Sequence, residues 1–192
     1  TAGIMNISTD ELDDLKTVSG VSVDDEDTAT TFGIGYQYDK NISFEVGVIS
    51  EYDVSASATT TSASSGTLNG KSYSILTGTD VTLKAKLDRG YTLGTKLSSS
   101  VNELFDIYGK AGMYFWDAAV VLSADKAVTY DGTSYVAGTE ATLVTASGED
   151  VYYGIGGSYK IGKTTSINAD YMKLSTDDGD GESLNLSVNF DL

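Results

Sequence analysis

The stretch Leu184-Asn185-Leu186-Ser187-Val188-Asn189-Phe190-Asp191-Leu192 alternates apolar and polar side chains without a break. A strand repeats every two residues, so one face carries Leu184, Leu186, Val188, Phe190 and Leu192, and the other carries Asn185, Ser187, Asn189 and Asp191. Which of the two faces points inward decides the fold.

The same alternation recurs upstream around three compact turn signals. Asp39-Lys40-Asn41 separates residues 31–38 from 42–48, Val101-Asn102-Glu103 separates 91–97 from 105–111, and Gly162-Lys163-Thr164 separates 151–161 from 166–172. Each is predicted to be an antiparallel hairpin. Long polar stretches lie between the hairpins, at 9–27, 51–80 and 118–149, with a shorter one at 176–181. A first strand around 3–8 and a last around 182–192 bring the total to eight. Tight turns at one end and long loops at the other are the pattern of an up-and-down barrel in an outer membrane.

Face composition supplies the direction. Phe32, Ile34, Tyr36 and Tyr38 share a side, as do Phe44, Val46 and Val48, then Ile107, Met113 and Phe115, then Tyr153, Ile155, Tyr159 and Ile161. Opposite them fall Gly33, Gly35, Gln37, Glu45, Gly47, Lys96, Tyr108, Lys110, Gly112, Gly154, Gly156, Ser158, Asn168 and Asp170. Facing water in a sandwich, so many glycines would weaken the strands and fill nothing. Inside a narrow barrel they make room for the few large polar residues. The expected fold is therefore all-β, an eight-stranded antiparallel up-and-down transmembrane β-barrel occupying residues 1–192 as one domain, with its apolar face toward lipid.

Composition agrees and narrows the chemistry. The chain has 192 residues, with 21 Gly, 13 Tyr and no Pro, which favours short strands over helices. It has no His and no Cys. That excludes a Ser-His-Asp triad, a cysteine nucleophile and thiolate or imidazole metal sites. No spacing singles out a pair of carboxylates, so the chain reads as a non-enzyme. A net charge of −16 with only 12 Lys and Arg argues against nucleic acid as a partner. The chain begins at Thr1 rather than Met, and a processed amino terminus is expected.

Two segments carry a family resemblance. Ser43-Phe44-Glu45-Val46-Gly47 resembles the third-strand motif of the OmpA-like outer-membrane proteins of Gram-negative bacteria. Residues 93–97 and 105–116, from Leu93-Gly94-Thr95-Lys96-Leu97 to Met113-Tyr114-Phe115-Trp116, are similar to that family's fourth strand, turn and fifth strand. The resemblance implies a small barrel with a polar, largely plugged lumen in which Glu45 and Lys96 pair. In the family the lysine can exchange to a second glutamate whose own partner is an arginine. Ser158 and Asn168 stand at those two positions here, which leaves Asp170 or Lys110 as substitutes. The terminal aromatic of the family is replaced by Leu192, with Phe190 two residues earlier.

The remaining candidates lie outside the lumen. Asp24, Asp25, Glu26 and Asp27 in the first loop, and Asp177, Asp178 and Asp180 in the last, could gather Ca²⁺ or Mg²⁺ shared with lipopolysaccharide phosphates, because hard cations take oxygen ligands. The competing readings are a solvated loop and a tight acidic turn. No other cofactor is expected. Residues 55–70 are mostly Ser, Thr, Ala and Gly, and read as either flexible or flattened against a partner. Tyr38, Tyr52, Tyr91, Trp116 and Tyr171 fit interfacial girdles.

Three functions follow from this reading. The leading one is a structural barrel of the bacterial outer membrane whose loops meet lipopolysaccharide, an envelope protein or a surface protein. Second is a narrow ion pore. Third is a soluble barrel that binds a ligand on an inward apolar face.

Overall fold

Side-chain and carbonyl acceptors close the tight turns. Asp39 Oδ1 accepts the backbone N–H of Asn41 at 2.7 Å and of Ile42 at 2.8 Å. Asn102 Oδ1 does the same for Leu104 and Phe105, both at 2.9 Å. In the third turn the Ile161 and Gly162 N–H groups both reach the Thr165 carbonyl. Short polar side chains thus satisfy backbone donors that the ladder leaves over, which is what makes these residues turn formers.

A computed structural model describes residues 1–9, 13–68, 70–175 and 180–191. In chain order its elements are β1 (Ala2–Thr9), α1 (Asp13–Lys16), β2 (Val21–Asp24), β3 (Glu26–Gln37), β4 (Ile42–Ile49), β5 (Tyr52–Thr59), β6 (Ser64–Leu68), β7 (Lys71–Ile75), β8 (Asp80–Leu87), β9 (Gly90–Ser100), β10 (Phe105–Ala124), β11 (Val128–Tyr130), β12 (Thr133–Tyr135), β13 (Ala141–Lys160), β14 (Thr165–Ser175) and β15 (Asp180–Phe190). Eight of them form an antiparallel ring in the order β13-β14-β15-β1-β3-β4-β9-β10, closed by pairing of β10 with β13. Closure removes every sheet edge at that level.

The ring is apolar outside and polar inside. Ile34 is 83% exposed and Ile155 71%, whereas Asp170, Asn168 and Ser187 are each 5% exposed or less. An exposed aliphatic belt around a buried polar interior is the arrangement of a membrane barrel. It is the reverse of the soluble barrel with an inward apolar face, and that alternative is set aside. Lumen glycines serve close packing: a Cβ on Gly156 would lie 2.6 Å from Asp170 Cβ and 2.7 Å from Tyr108 Cε2.

Strands continue beyond the ring on the side opposite the tight turns. β10 pairs with β9 up to Phe115 and with β8 from Ala118 to Ala124, while β13 accompanies it from Phe105 to Leu122. β5 pairs with β8, and β2 with β5, so the upper sheet runs β13-β10-β8-β5-β2. A second sheet, β12-β11-β7-β6, lies among the same loop segments. Its β11–β12 hairpin turns at Asp131 and Gly132, both at positive φ as a two-residue hairpin turn requires. The polar stretches expected as loops at 51–80 and 118–149 therefore contain most of a folded β-head with its own buried residues, among them Val54, Val121, Leu122, Val128 and Tyr130.

Two further expectations are corrected here. The low-complexity segment 55–70 is largely built into sheets of this chain: Ser55 to Thr59 belong to β5, and Ser64 to Leu68 form β6, both paired with strands of the same chain. Tyr52 and Trp116 do not belong to an outer girdle. Tyr52 is buried in an inward apolar cluster and Trp116 packs against it, while Tyr38, Tyr91 and Tyr171 are exposed. Turned inward, Tyr52 and Trp116 bury apolar area against Tyr114, Tyr152 and their neighbours.

Candidate functional site

The lumen holds two stacked layers. The lower layer, toward the tight turns, is charged. Glu45 on β4 and Lys96 on β9 occupy neighbouring strands one pair out of register, and Lys96 Nζ lies 3.0 Å from Glu45 Oε1. Lys110, on β10, is the direct register partner of Lys96 and forms its ion pair with Asp170 on β14. These two strands do not touch: β13 lies between them, presenting Gly154 beside Lys110 and Gly156 beside Asp170. The missing side chains leave the gap across which the pair forms.

Tyr108 links the two pairs. Its ring lies under Lys96 Nζ at 5.1 Å, and its hydroxyl donates to Asp170 Oδ2 at 3.2 Å. Asn185 Nδ2 also donates to Asp170 Oδ2 at 3.3 Å, and Asn168 Nδ2 to Ser187 Oγ at 3.5 Å. A buried carboxylate with a cation and two donors is satisfied in the way a buried charge requires. Ser158 lies nearer the turns, in register with Asp106 and Asn168, and Lys160 pairs with Asp106 at 3.0 Å. The lysine at 110 and the aspartate at 170 thus form a second ion pair, where the resemblance expected an arginine–glutamate pair at 158 and 168.

The upper layer is apolar. Met5, Ile7, Ala29, Ile49, Tyr114, Tyr152, Met172 and Leu174 from the ring, with Tyr52 from β5, form one buried cluster. Sequence reasoning missed this layer because it followed the polar face of each strand as though it were uniform. The signal was present: along β14 the inward residues run Asn168, Asp170, Met172, Leu174, changing from polar to apolar as the outward ones change from Ile167 and Tyr171 to Lys173.

Below the cluster a cavity of about 640 Å³ extends to the turn end, bounded there by Gln37, Ser43 and Asn189 and at its upper end by Met5, Ile49, Tyr152 and Met172. Glu45, Lys96, Lys110 and Asp170 all border it.

Among the described residues, the acidic candidates of the first loop do not converge. Asp25 pairs with Lys16 at 2.7 Å, and that hydrogen bond holds its carboxyl below the usual carboxylate range. Asp27 accepts the N–H of Thr28 and of Asp53. Asp24 ends β2 and Glu26 begins β3, and among the described residues no three acidic groups converge as metal ligands. Asp177 and Asp178, and the side chain of Asp180, lie outside the described residues.

The Glu45–Lys96 pair is part-exposed, so its expected worth falls between that of a surface pair and a buried one. Glu45→Gln, Lys96→Met and the double variant, unfolded by urea in lipid, should show a coupling of about 1 to 3 kcal/mol. Additive effects would mean that the contact contributes nothing to stability.

The sequence matches the model of the outer membrane protein beta-barrel domain over residues 2–191. No curated protein sequence matches. Among solved structures the chain is similar to Ail, the attachment invasion locus protein of Yersinia pestis, in complex with the heparin analogue sucrose octasulfate, at 12% identity and a TM-score of 0.49 over 98% of this chain and 94% of that one. A second crystal structure of Ail of the same organism gives 14% identity and a TM-score of 0.48 over 98% and 93%. The translocator domain of the autotransporter NalP from Neisseria meningitidis gives 10% and 0.32 over 100% and 87%.

Proposed function

This chain belongs to the family of outer membrane protein beta-barrel domains, and on that premise we propose that it is a non-enzymatic barrel that anchors its β-head outside the membrane for contact with lipopolysaccharide or a surface protein. The observation that carries this reading is the length of β10 and β13. Each has 20 residues, about twice the 9 to 11 that a membrane-crossing strand needs. The surplus stands clear of the lipid on the side of the long loops, which in such barrels is the external one.

The head offers a defined contact surface. Among the described residues, 141–150 of β13 pair only with β10, so one edge of this segment is unpaired. Residues 141–148, Ala-Thr-Leu-Val-Thr-Ala-Ser-Gly, carry no charge. An uncharged edge is a template for strand addition by a protein partner. Lipopolysaccharide is the second partner considered. The acidity of the chain makes its phosphates dependent on bridging divalent cations.

The test replaces residues 119–148 by a short turn in the full-length chain. The trimmed barrel should keep the heat-dependent gel migration of a folded barrel and lose cross-linking to surface proteins in cells and binding to purified lipopolysaccharide with Ca²⁺. Equal binding by the trimmed protein would overturn the reading. So would liposome swelling in sugars at the rate of a large open porin.

A further inference from the structure

We infer that the barrier to passage through this barrel is the apolar layer at the head side of the lumen, and that the charged layer beneath it is the inner wall of a vestibule open only at the turn end. The cavity runs from Gln37, Ser43 and Asn189 at the turns past both ion pairs, and ends on Met5, Ile49, Tyr152 and Met172. Solvent from the turn side therefore reaches Glu45 and Lys96 without opening their pair, while Lys110 and Asp170 stay buried in the wall of the cavity.

Above the cavity the packing is close. Met5 is 1% exposed, Tyr114 2% and Tyr152 3%. An ion crossing this layer would exchange its hydration for packed aliphatic and aromatic side chains whose polar atoms are the three hydroxyls of Tyr52, Tyr114 and Tyr152, too few to replace a water shell, and apolar constrictions close pores by excluding water. At this height the outward neighbours Ile4, Val151, Tyr153 and Tyr171 are still exposed and apolar, so the wall is apolar on both faces and its inward packing seals the barrel. The charge pairs are not the seal, because their side of the lumen is already open.

Planar-bilayer recordings of the full chain separate the two layers. Tyr114→Ser with Tyr152→Ser should raise ion conductance at least tenfold over the parent, while Glu45→Gln with Lys96→Met should leave it unchanged. Opening by the charge variant with a closed aromatic variant of normal heat-dependent migration would overturn the inference. Steady conductance by the parent would overturn it too.

Should the aromatic variant not fold, a thiol probe decides. The chain has no Cys, so Thr31→Cys introduces a single inward thiol just below Ala29 of the apolar layer. In sealed proteoliposomes, a membrane-impermeant charged methanethiosulfonate added outside should label the fraction of molecules whose heads are protected from protease. Lysis should raise labelling to completion. Complete labelling before lysis, or none after it, would overturn the inference. These outcomes are independent of whether the head binds anything.

Discussion

Lys110→Met is expected to destabilise the folded barrel by about 3 to 5 kcal/mol, the cost of leaving a buried charge without its partner. The partner is Asp170, whose side chain is only 2% exposed, and Lys110 is itself 11% exposed. The remaining donors to Asp170, Tyr108 and Asn185, are neutral and cannot balance its charge. Adding Asp170→Asn to Lys110→Met should recover most of the loss, because it removes the stranded charge and keeps an oxygen to accept from Tyr108. Equilibrium unfolding in lipid measures both. If the two single effects simply add in the double variant, the pair is not a coupled unit.

Val46→Arg is expected to cost about 2 to 4 kcal/mol, the range for a cation on the lipid face near mid-membrane. Val46 points outward on β4 and is 55% exposed, between Phe44 and Val48 on the same face. The control is Gly35→Ser, on the inward face of β3, where an added Cβ would meet Glu45 Cγ and the Phe44 carbonyl at an ordinary 3.6 Å. Assembly into vesicles and unfolding there should therefore discriminate sharply between the two. Equal tolerance, or better tolerance of the arginine, would mean that the outward face does not meet lipid.

Much of the ring was legible because its signals are local. Asp39, Asn102 and Gly162 mark turns whose hydrogen bonds close within a few residues. Period-two alternation assigns each side chain between them to a face, and Glu45 and Lys96 fall on the same one whatever the global shape. The head was harder to read. β5 does alternate, with Tyr52, Val54 and Ala56 opposite Asp53, Ser55 and Ser57, but its apolar side is largely small residues that add little burial per position. Such a segment becomes a strand because β8 pairs with it along its whole length, and that pairing is not written in its own composition.

By itself the sequence determined the all-β class, the turn positions, the eight crossings of the ring and the inside-out polarity. Each rests on contacts between near neighbours or on which side of a strand a residue lies. Only the tertiary structure decided that Lys110 meets Asp170, 60 positions away, over the glycines of an intervening strand. It alone assembled Met5, Ile49, Tyr114, Tyr152 and Met172 into a layer across the lumen. Ring closure brings non-adjacent strands within side-chain reach, so inward residues from strands far apart in sequence meet across the lumen and bury one another.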